Sequence, residues 1–397
     1  MKGGAVTTLA DVCESVRYGY TASASLDACG PRFLRITDIV PDSVGWESVP
    51  YCEIDDSDKK RFALDIGDIV VARTGATVGY AKLIREPVDA VFASYLVRFR
   101  VDPTKADPGF VGRLVESQVY KSFVQSRIGG AAQPNASAPV LGDFEFRLPL
   151  RHAQTRIADI LAAYDDLIEN NRRRITLLED AARQLYCEWF VRLRFPGHER
   201  TRIINGVPKG WERKTLGDLC TDVRETTSPD QMEPNTPYIG LEHMPRRSIA
   251  LSEWGRSEQV TSTKHRFRKG EILFGKIRPY FHKVGVAFVD GVASSDAIVI
   301  RPAAEDLSSL VLMTVSSDPF VAAASQSMRE GSKMPRADWK LMKQYSVPVP
   351  ADALLGTFNG TIKLIVGQLG ALAFQNRQLR AVRDLLLPRL MSGEIIV

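Results

Sequence analysis

The chain says nearly everything twice, at a spacing of about 200 residues. Thr8-Leu9-Ala10-Asp11-Val12-Cys13 returns as Thr215-Leu216-Gly217-Asp218-Leu219-Cys220, and Gly67-Asp68-Ile69-Val70 as Gly270-Glu271-Ile272-Leu273. Phe33-Leu34-Arg35-Ile36 is echoed by Tyr238-Ile239-Gly240-Leu241. Gly130 and Pro134 correspond to Gly331 and Pro335, and Leu148-Pro149-Leu150 to Val347-Pro348-Val349. Each half closes on a long helical pattern carrying Asn-Arg, at Asn171-Arg172 and Asn376-Arg377. Solenoid repeats run at roughly 20–50 residues, so this period means a compact unit plus a helix, duplicated.

Period and punctuation divide the chain into four segments: a globular unit at 1–150, a helix at 151–197, a second globular unit at 198–350 and a final helix at 351–397. In the first unit, Ile69–Ala72 and Leu96–Val101 read as strands bounded by Gly or Pro. Phe110, Leu114, Val115, Val119 and Phe123 have helical spacing, and Gly129-Gly130 would end that helix. In the central helix, expected over about 152–195, Ile157, Tyr164, Asn171, Leu178 and Leu185 recur every seven residues. Leu161, Ile168, Ile175, Ala182 and Trp189 flank them, a wide apolar stripe with a coiled-coil period. Pro196-Gly197 would stop it. The final helix, expected over Leu354–Leu390, has the stripe Ile362, Ile365, Leu369, Leu372, Asn376, Leu379, Leu386 and Leu390, and Pro388 should kink or terminate it.

The expected fold is therefore mixed α+β (α/β): two globular units in tandem, separated by two long helices packed as an antiparallel coiled coil about a pseudo-twofold axis. A seam Asn in each helix would fix register. A rod of about 40 residues is roughly 60 Å long.

With 44% hydrophobic and 25% charged residues the chain is ordinary for a globular protein. No apolar run approaches the roughly 18–20 residues needed to span a membrane, and no apolar segment follows Met1-Lys2-Gly3-Gly4, so a cytoplasmic protein is expected. Cys13, Cys29, Cys52, Cys187 and Cys220 include no Cys-x-x-Cys pair and read as reduced thiols, with Cys13 and Cys220 at equivalent packing positions. A net charge of +5 permits nucleic-acid binding without demanding it. Distribution says more: Lys264, Arg266, Arg268, Lys269, Lys276, Arg278 and Lys283 surround a single acid, Glu271.

Catalytic and metal signatures are missing. Gly270–Lys276 fits the first positions of a phosphate loop, but Ile277 stands where Ser or Thr must hold magnesium, and Arg278-Pro279 disfavours a helix start. The five histidines show no ligand spacing. There is no Gly-x-Ser-x-Gly elbow, no dinucleotide fingerprint and no adenine-methyltransferase motif.

Several stretches resemble the specificity (S) subunit of type I restriction–modification enzymes. Leu185-Tyr186-Cys187-Glu188-Trp189-Phe190 with Arg194-Phe195-Pro196-Gly197 is similar to the end of that family's central conserved helix. Leu386–Ile395 resembles its C-terminal conserved segment, Pro208-Lys209-Gly210-Trp211 the opening of its second recognition domain, and Gly270–Tyr280 its turn-to-strand motif. The resemblance implies a non-catalytic, DNA-binding subunit. Each target recognition domain would read one half of a split, gapped sequence in double-stranded DNA. The paired helices would act as ruler and as docking surface for two modification (methyltransferase) subunits. Those partners would carry S-adenosylmethionine and methylate adenine at N6; restriction subunits would add ATP- and Mg-dependent translocation and cleavage. This chain itself would hold no cofactor and no metal. A methylation-only complex, or a stand-alone enzyme with an unrecognised site, are the alternatives.

The first candidate DNA contacts are the loops after the Gly-Asp/Glu strands: Arg73, Thr74, Gly75 and Thr77 in the first unit, and Lys276, Arg278, Tyr280, His282 and Lys283 in the second. Arg commonly reads guanine edges and Lys grips phosphate. The second pair precedes and follows the repeat prolines: Gln133 and Asn135, and Lys333 and Arg336. Tyr18, Tyr20, Ser94, Tyr95, Ser294 and Ser295 are weaker candidates. Ordinary turns with surface charges would use the same residue types. Helix pairing and partner docking fall to Ile157, Tyr164, Asn171, Leu178, Leu185 and Trp189, with Ile362, Leu369, Asn376, Leu379 and Leu386.

Overall fold

The structure is a computed structural model that describes residues 5–41, 43–128, 134–326, 335–392 and 394–395. It divides into two compact units, Met1–Glu169 with Leu379–Val397, and Asn170–Gln378.

The first unit is built on a four-stranded antiparallel sheet, in the order Cys13–Tyr18, Leu96–Val101, Asp68–Ala72 and Ala81–Leu83. The Asp68–Ala72 strand is buried throughout. Alternate side chains leave a strand on opposite faces, and here each face meets its own core. Ile69 and Val71 pack with Phe99, Phe110 and Leu141, whereas Val70 and Ala72 pack with Leu34, Ile84 and Phe92. Two smaller pairings complete the unit: Arg32–Leu34 runs parallel to Ala90–Phe92, and Ala5–Thr8 antiparallel to Glu145–Leu148.

The helix expected from Phe110 onward is two helices, Pro108–Glu116 and Gln118–Arg127. Ser117 separates them: its backbone is extended and its hydroxyl accepts from the Tyr120 N–H. A serine cap competes with helix continuation, which apolar periodicity does not register. The proposed Gly129-Gly130 stop lies outside the described residues.

The second unit repeats the plan. Its five-stranded sheet runs Cys220–Val223, Ala297–Pro302, Ile272–Gly275, Val284–Ala287 and Ala250–Leu251. Glu212–Thr215 pairs antiparallel with Ser346–Val349, as Ala5–Thr8 does with Glu145–Leu148. The phosphate-loop look-alike is a left-handed turn at Gly270 entering a buried strand, as the sequence argued.

The repeat holds at the level of single hydrogen bonds. Arg100 Nε donates to Asp68 at 2.7 Å, and Arg301 Nε donates to Glu271 at the matching position. Asp11 and Asp218 accept from the N–H of Thr8 and Thr215. The Cys13 and Cys220 thiols donate to the carbonyls of Leu9 and Leu216, and burial pushes each up to about 12. All five cysteines are free thiols, and these two serve packing.

The central helix spans Arg151–Tyr186 and passes into a π-turn at Cys187–Val191, short of the expected 195. Leu193, left-handed at φ 56, ends it before Pro196 is reached. The C-terminal helix spans Asp352–Ser392 and contains Pro388 rather than stopping there. In each unit the two helices run antiparallel. In the first, Ile157 and Leu161 share a core with Leu386 and Leu390, and Arg383 Nη1 donates to Asp165 at 2.7 Å. In the second, Asn171 Nδ2 donates to Asn376 Oδ1 at 3.0 Å, while the Trp189 ring meets Phe358 at 5.7 Å. Leu178 and Leu185 lie half-buried against the core that holds Ile362, Leu369 and Trp189, and Tyr164 and Leu379 are half-buried in the first unit. Among the described residues no single helix is long and apolar enough to cross a membrane.

Candidate nucleic-acid interface

Two stretches that the sequence offers as separate candidates are bonded together, and in the same way in both units. After the buried strand Asp68–Ala72, the Arg73 N–H donates to Tyr95 O at 3.0 Å and its carbonyl accepts from Ala136 N at 2.8 Å. Gly75 N donates to Pro134 O at 2.9 Å, so Thr74 and Asn135 face each other across a short antiparallel bridge. In the second unit Lys276 N donates to Asp296 O at 2.9 Å, Lys276 O accepts from Ala337 N at 2.8 Å, and Arg278 N donates to Pro335 O at 2.9 Å. Ile277 and Arg336 form the matching bridge. Buried strands thus deliver Arg73, Thr74, Gly75 and Asn135 to one surface, and Lys276, Arg278 and Arg336 to another. Gln133 and Lys333 lie outside the described residues.

Backbone shape explains part of the choice of residues. Gly75 and Gly79 are left-handed at φ +75 and +84, and the short helical turn Gly75–Thr77 sits between them. The matching positions in the second unit are Arg278 and His282, left-handed at φ 47 and 53 around the turn Pro279–Phe281. A side chain in that region costs roughly 1–2 kcal/mol, and such strain tends to cluster at functional sites. Arg278 is exposed and is displayed by this strained turn.

His282 lies deeper than the other candidates of its loop. It is 7% exposed, with Nε2 at 2.8 Å from Ser316 O and Nδ1 at 3.4 Å from Asp318. Burial, chiefly, holds its imidazole below the usual value. It locks the turn from inside and does not present its ring to a ligand. Lys283 is half-buried and donates to Leu241 O at 2.5 Å. Burial lowers its ammonium from the ordinary lysine value, with Arg246 adding repulsion, so it supports the turn more than it offers a free cation. Tyr280 is 53% exposed, edge-on to Phe281.

The two surfaces differ in what holds their cations. The Arg73 guanidinium lies 4.6 Å over the Tyr18 ring, with Nη2 3.4 Å from Asn135 Oδ1. Arg336 instead pairs with the Asp296 carboxylate at 3.4 Å. Asp296 escaped the sequence reading, although its neighbours Ser294 and Ser295 were weak candidates; a carboxylate in a basic loop carries no signal until the fold brings it to Arg336. Arg246, over the Phe281 ring at 4.2 Å, also went unread. Cationic, amide and hydroxyl groups on rigid strand ends can contact phosphates and base edges alike. Among the described residues no cluster of His, Cys, Asp or Glu suits a metal ion.

The chain is similar to several known proteins. Residues 1–180 match the family described as the type I restriction modification DNA specificity domain. The MjaIX specificity subunit of a type I restriction enzyme from Methanocaldococcus jannaschii is 21% identical over 351 residues, covering 84% of this chain and 76% of that protein. The EcoDI specificity subunit of Escherichia coli is 22% identical over 284 residues, 65% of this chain and 63% of its own length. The solved structure of the S subunit from M. genitalium superposes with a TM-score of 0.59 at 15% identity, covering 98% of this chain and 96% of that one, and so shares its fold. Residues 1–180 thus match the type I specificity domain, and the chain as a whole is similar to type I restriction enzyme specificity subunits.

Proposed function

We propose that the chain is the DNA-reading, non-catalytic subunit of a type I restriction–modification complex, with one half of a split, gapped sequence read by each recognition domain. The domains would be 1–150 and 198–350, joined through 151–197 and 351–397. The observation that carries this reading is the duplicated bridge, Thr74 to Asn135 and Ile277 to Arg336, which sets different side chains on one shared scaffold. A common scaffold with different side chains is what two unlike half-sites require.

The contacting residues would be Arg73, Thr74, Thr77 and Asn135 on one side and Lys276, Arg278, Tyr280 and Arg336 on the other. The helices, of 36 and 41 residues, would set the gap and dock two methyltransferase subunits. Those subunits, with S-adenosylmethionine, would flip and methylate adenine, and restriction subunits would use ATP and Mg. The site of action would be the cytoplasm.

The test is single-molecule sequencing of host DNA for N6-methyladenine, with and without the gene for this chain. Loss of methylation at one split, asymmetric motif upon deletion is expected. Unchanged methylation, with the partner subunits present, would overturn the assignment.

A further inference from the structure

We infer that Arg73 is a base-reading side chain of the first unit, that its acceptor is a guanine in the major groove, and that Tyr18 and Asn135 are its positioning residues. The inference deepens the proposed DNA-reading function and rests on it.

Arg73 has no carboxylate partner among the described residues, while its neighbours in the sheet, Arg98 and Arg100, both face Asp68. Among the described residues its Nε is buried without a hydrogen-bond partner, and only Nη2 hydrogen-bonds a side chain, at 3.4 Å from Asn135 Oδ1. A guanidinium held in this way has unused donors and a deficit of acceptors.

What holds it is stiff. The Tyr18 ring, 4.6 Å below, stands on the edge strand Cys13–Tyr18, and its hydroxyl accepts from Ala138 N at 2.9 Å. Asn135 is fixed by the bridge to Thr74. The Arg73 backbone is bonded on both sides, to Tyr95 and Ala136. Flexible lysine suits a phosphate, which offers acceptors in many directions. A planar fork stacked on a ring and steadied by an amide has lost that freedom, and it matches the two parallel acceptors of guanine, O6 and N7. Stacking also conserves the rotamer entropy that a loose arginine would lose on binding.

The second unit serves as an internal control. Near its matching loop, Arg336 is countered by Asp296, and no ring among the described residues lies under it. At the bridge itself, the scaffold therefore carries an uncompensated, ring-stacked arginine in one unit and an acid-paired one in the other.

The test expresses the full chain with its partner subunits and maps N6-methyladenine across the genome for wild type, Arg73→Gln, Tyr18→Ala and Tyr18→Phe. Arg73→Gln should relax one guanine position in one half-site and leave the other half-site intact. Discrimination there should fall by roughly 5- to 150-fold, the value of one bidentate contact. Tyr18→Ala should relax the same position more weakly, and Tyr18→Phe, which keeps the ring and loses the hydroxyl, should retain it. An unchanged motif in both Arg73→Gln and Tyr18→Ala would overturn the inference, as would relaxation at a base other than guanine. Uniform loss across both half-sites would mark Arg73 as a phosphate contact or a structural residue and overturn it too. If wild type and deletion strains are methylated alike, the function proposed above fails first.

Discussion

The two units place opposite chemistries at one matched position. Ile69 pairs with Leu83 in the first sheet and Ile272 with Val286 in the second, so Arg85 and Phe288, each two residues further on, correspond. Asp165 and Gly370, each six residues before a seam asparagine, correspond on the helices. In the first unit Asp165 is ringed by Arg85, Arg113 and Arg383, and Arg85 also reaches Glu116 at 2.6 Å. In the second, the Phe288 ring lies against Gly370, close enough that an added Cβ would meet it at 3.1 Å. One duplicated joint between sheet and helix is thus closed by ions in one copy and by an aromatic ring in the other. Arg113 is nearly buried, and burial first, then repulsion from Arg85, brings its guanidinium down to about 10. Ion pairs of this kind add little net stability over an apolar substitute, yet losing one member is costly. The fold thus specifies a filled joint and leaves open what fills it.

The largest effect that can break this comparison is at Asp165. Asp165→Ala should take the ion-pair partner from buried Arg113, while Arg85 keeps Glu116 and Arg383 keeps Asp384, and cost about 3–5 kcal/mol in chemical denaturation. The joint exchange Arg85→Phe, Arg113→Leu and Asp165→Gly, which replaces the ions by apolar packing as in the second unit, should cost clearly less than the single change. If Asp165→Ala cost under about 1 kcal/mol, the ionic network would not be holding the joint.

The seam asparagines come next. Asn171 donates to Asn376 and also to Gln375 Oε1 at 3.1 Å, with both asparagines buried. Asn376→Leu should leave the Asn171 amide short of a partner and cost about 1–3 kcal/mol. Replacing both by Leu should recover most of that loss and loosen helix register instead. A double-mutant cycle with no coupling between the two positions would sink this account. Smaller again is Gly370→Ala. Helix propensity favours Ala by about 1 kcal/mol, but crowding of Phe288 costs roughly 1–3 kcal/mol, so a small net loss is expected in thermal melts. Ala at 370 should be neutral or stabilising when Phe288 is shortened to Leu.

What was legible in the sequence was what depends on period and duplication. The strand Asp68–Ala72, both long helices and the Asn171–Asn376 pairing follow from spacing alone. Comparing the halves also marked both loops that the bridges join, although nothing local indicated that they touch. Features resting on one side chain against a trend were not legible. Ser117 cuts a periodic helix, and Pro388, expected to kink or end its helix, sits inside one that continues to Ser392. The depth of His282 was not legible because the groups it meets, Ser316 and Asp318, lie more than thirty residues away in sequence. The Asp165 cluster draws on Arg85, Arg113 and Arg383, which no window of sequence unites.

The smallest expected effect lies at Glu179, where the second unit does bury a carboxylate. Its Oε1 accepts from Ser248 Oγ at 2.6 Å, Ile249 N at 2.9 Å and Ala250 N at 3.1 Å, with Arg183 at 3.5 Å from the other oxygen. Burial outweighs these donors and raises its pKa above the ordinary carboxylate range. The folded state then holds the proton more tightly than the unfolded chain. Its contribution to stability is greatest when protonated, and it falls as pH rises from the ordinary value through the raised one. Glu179→Gln keeps an acceptor oxygen for the same N–H groups and removes the titration. Between pH 7 and pH 5 the difference in Tm between wild type and Glu179→Gln should shift by up to about 2 °C in favour of the wild type at the lower pH. A shift in favour of the variant at low pH would mean that the donors, not burial, govern this carboxylate.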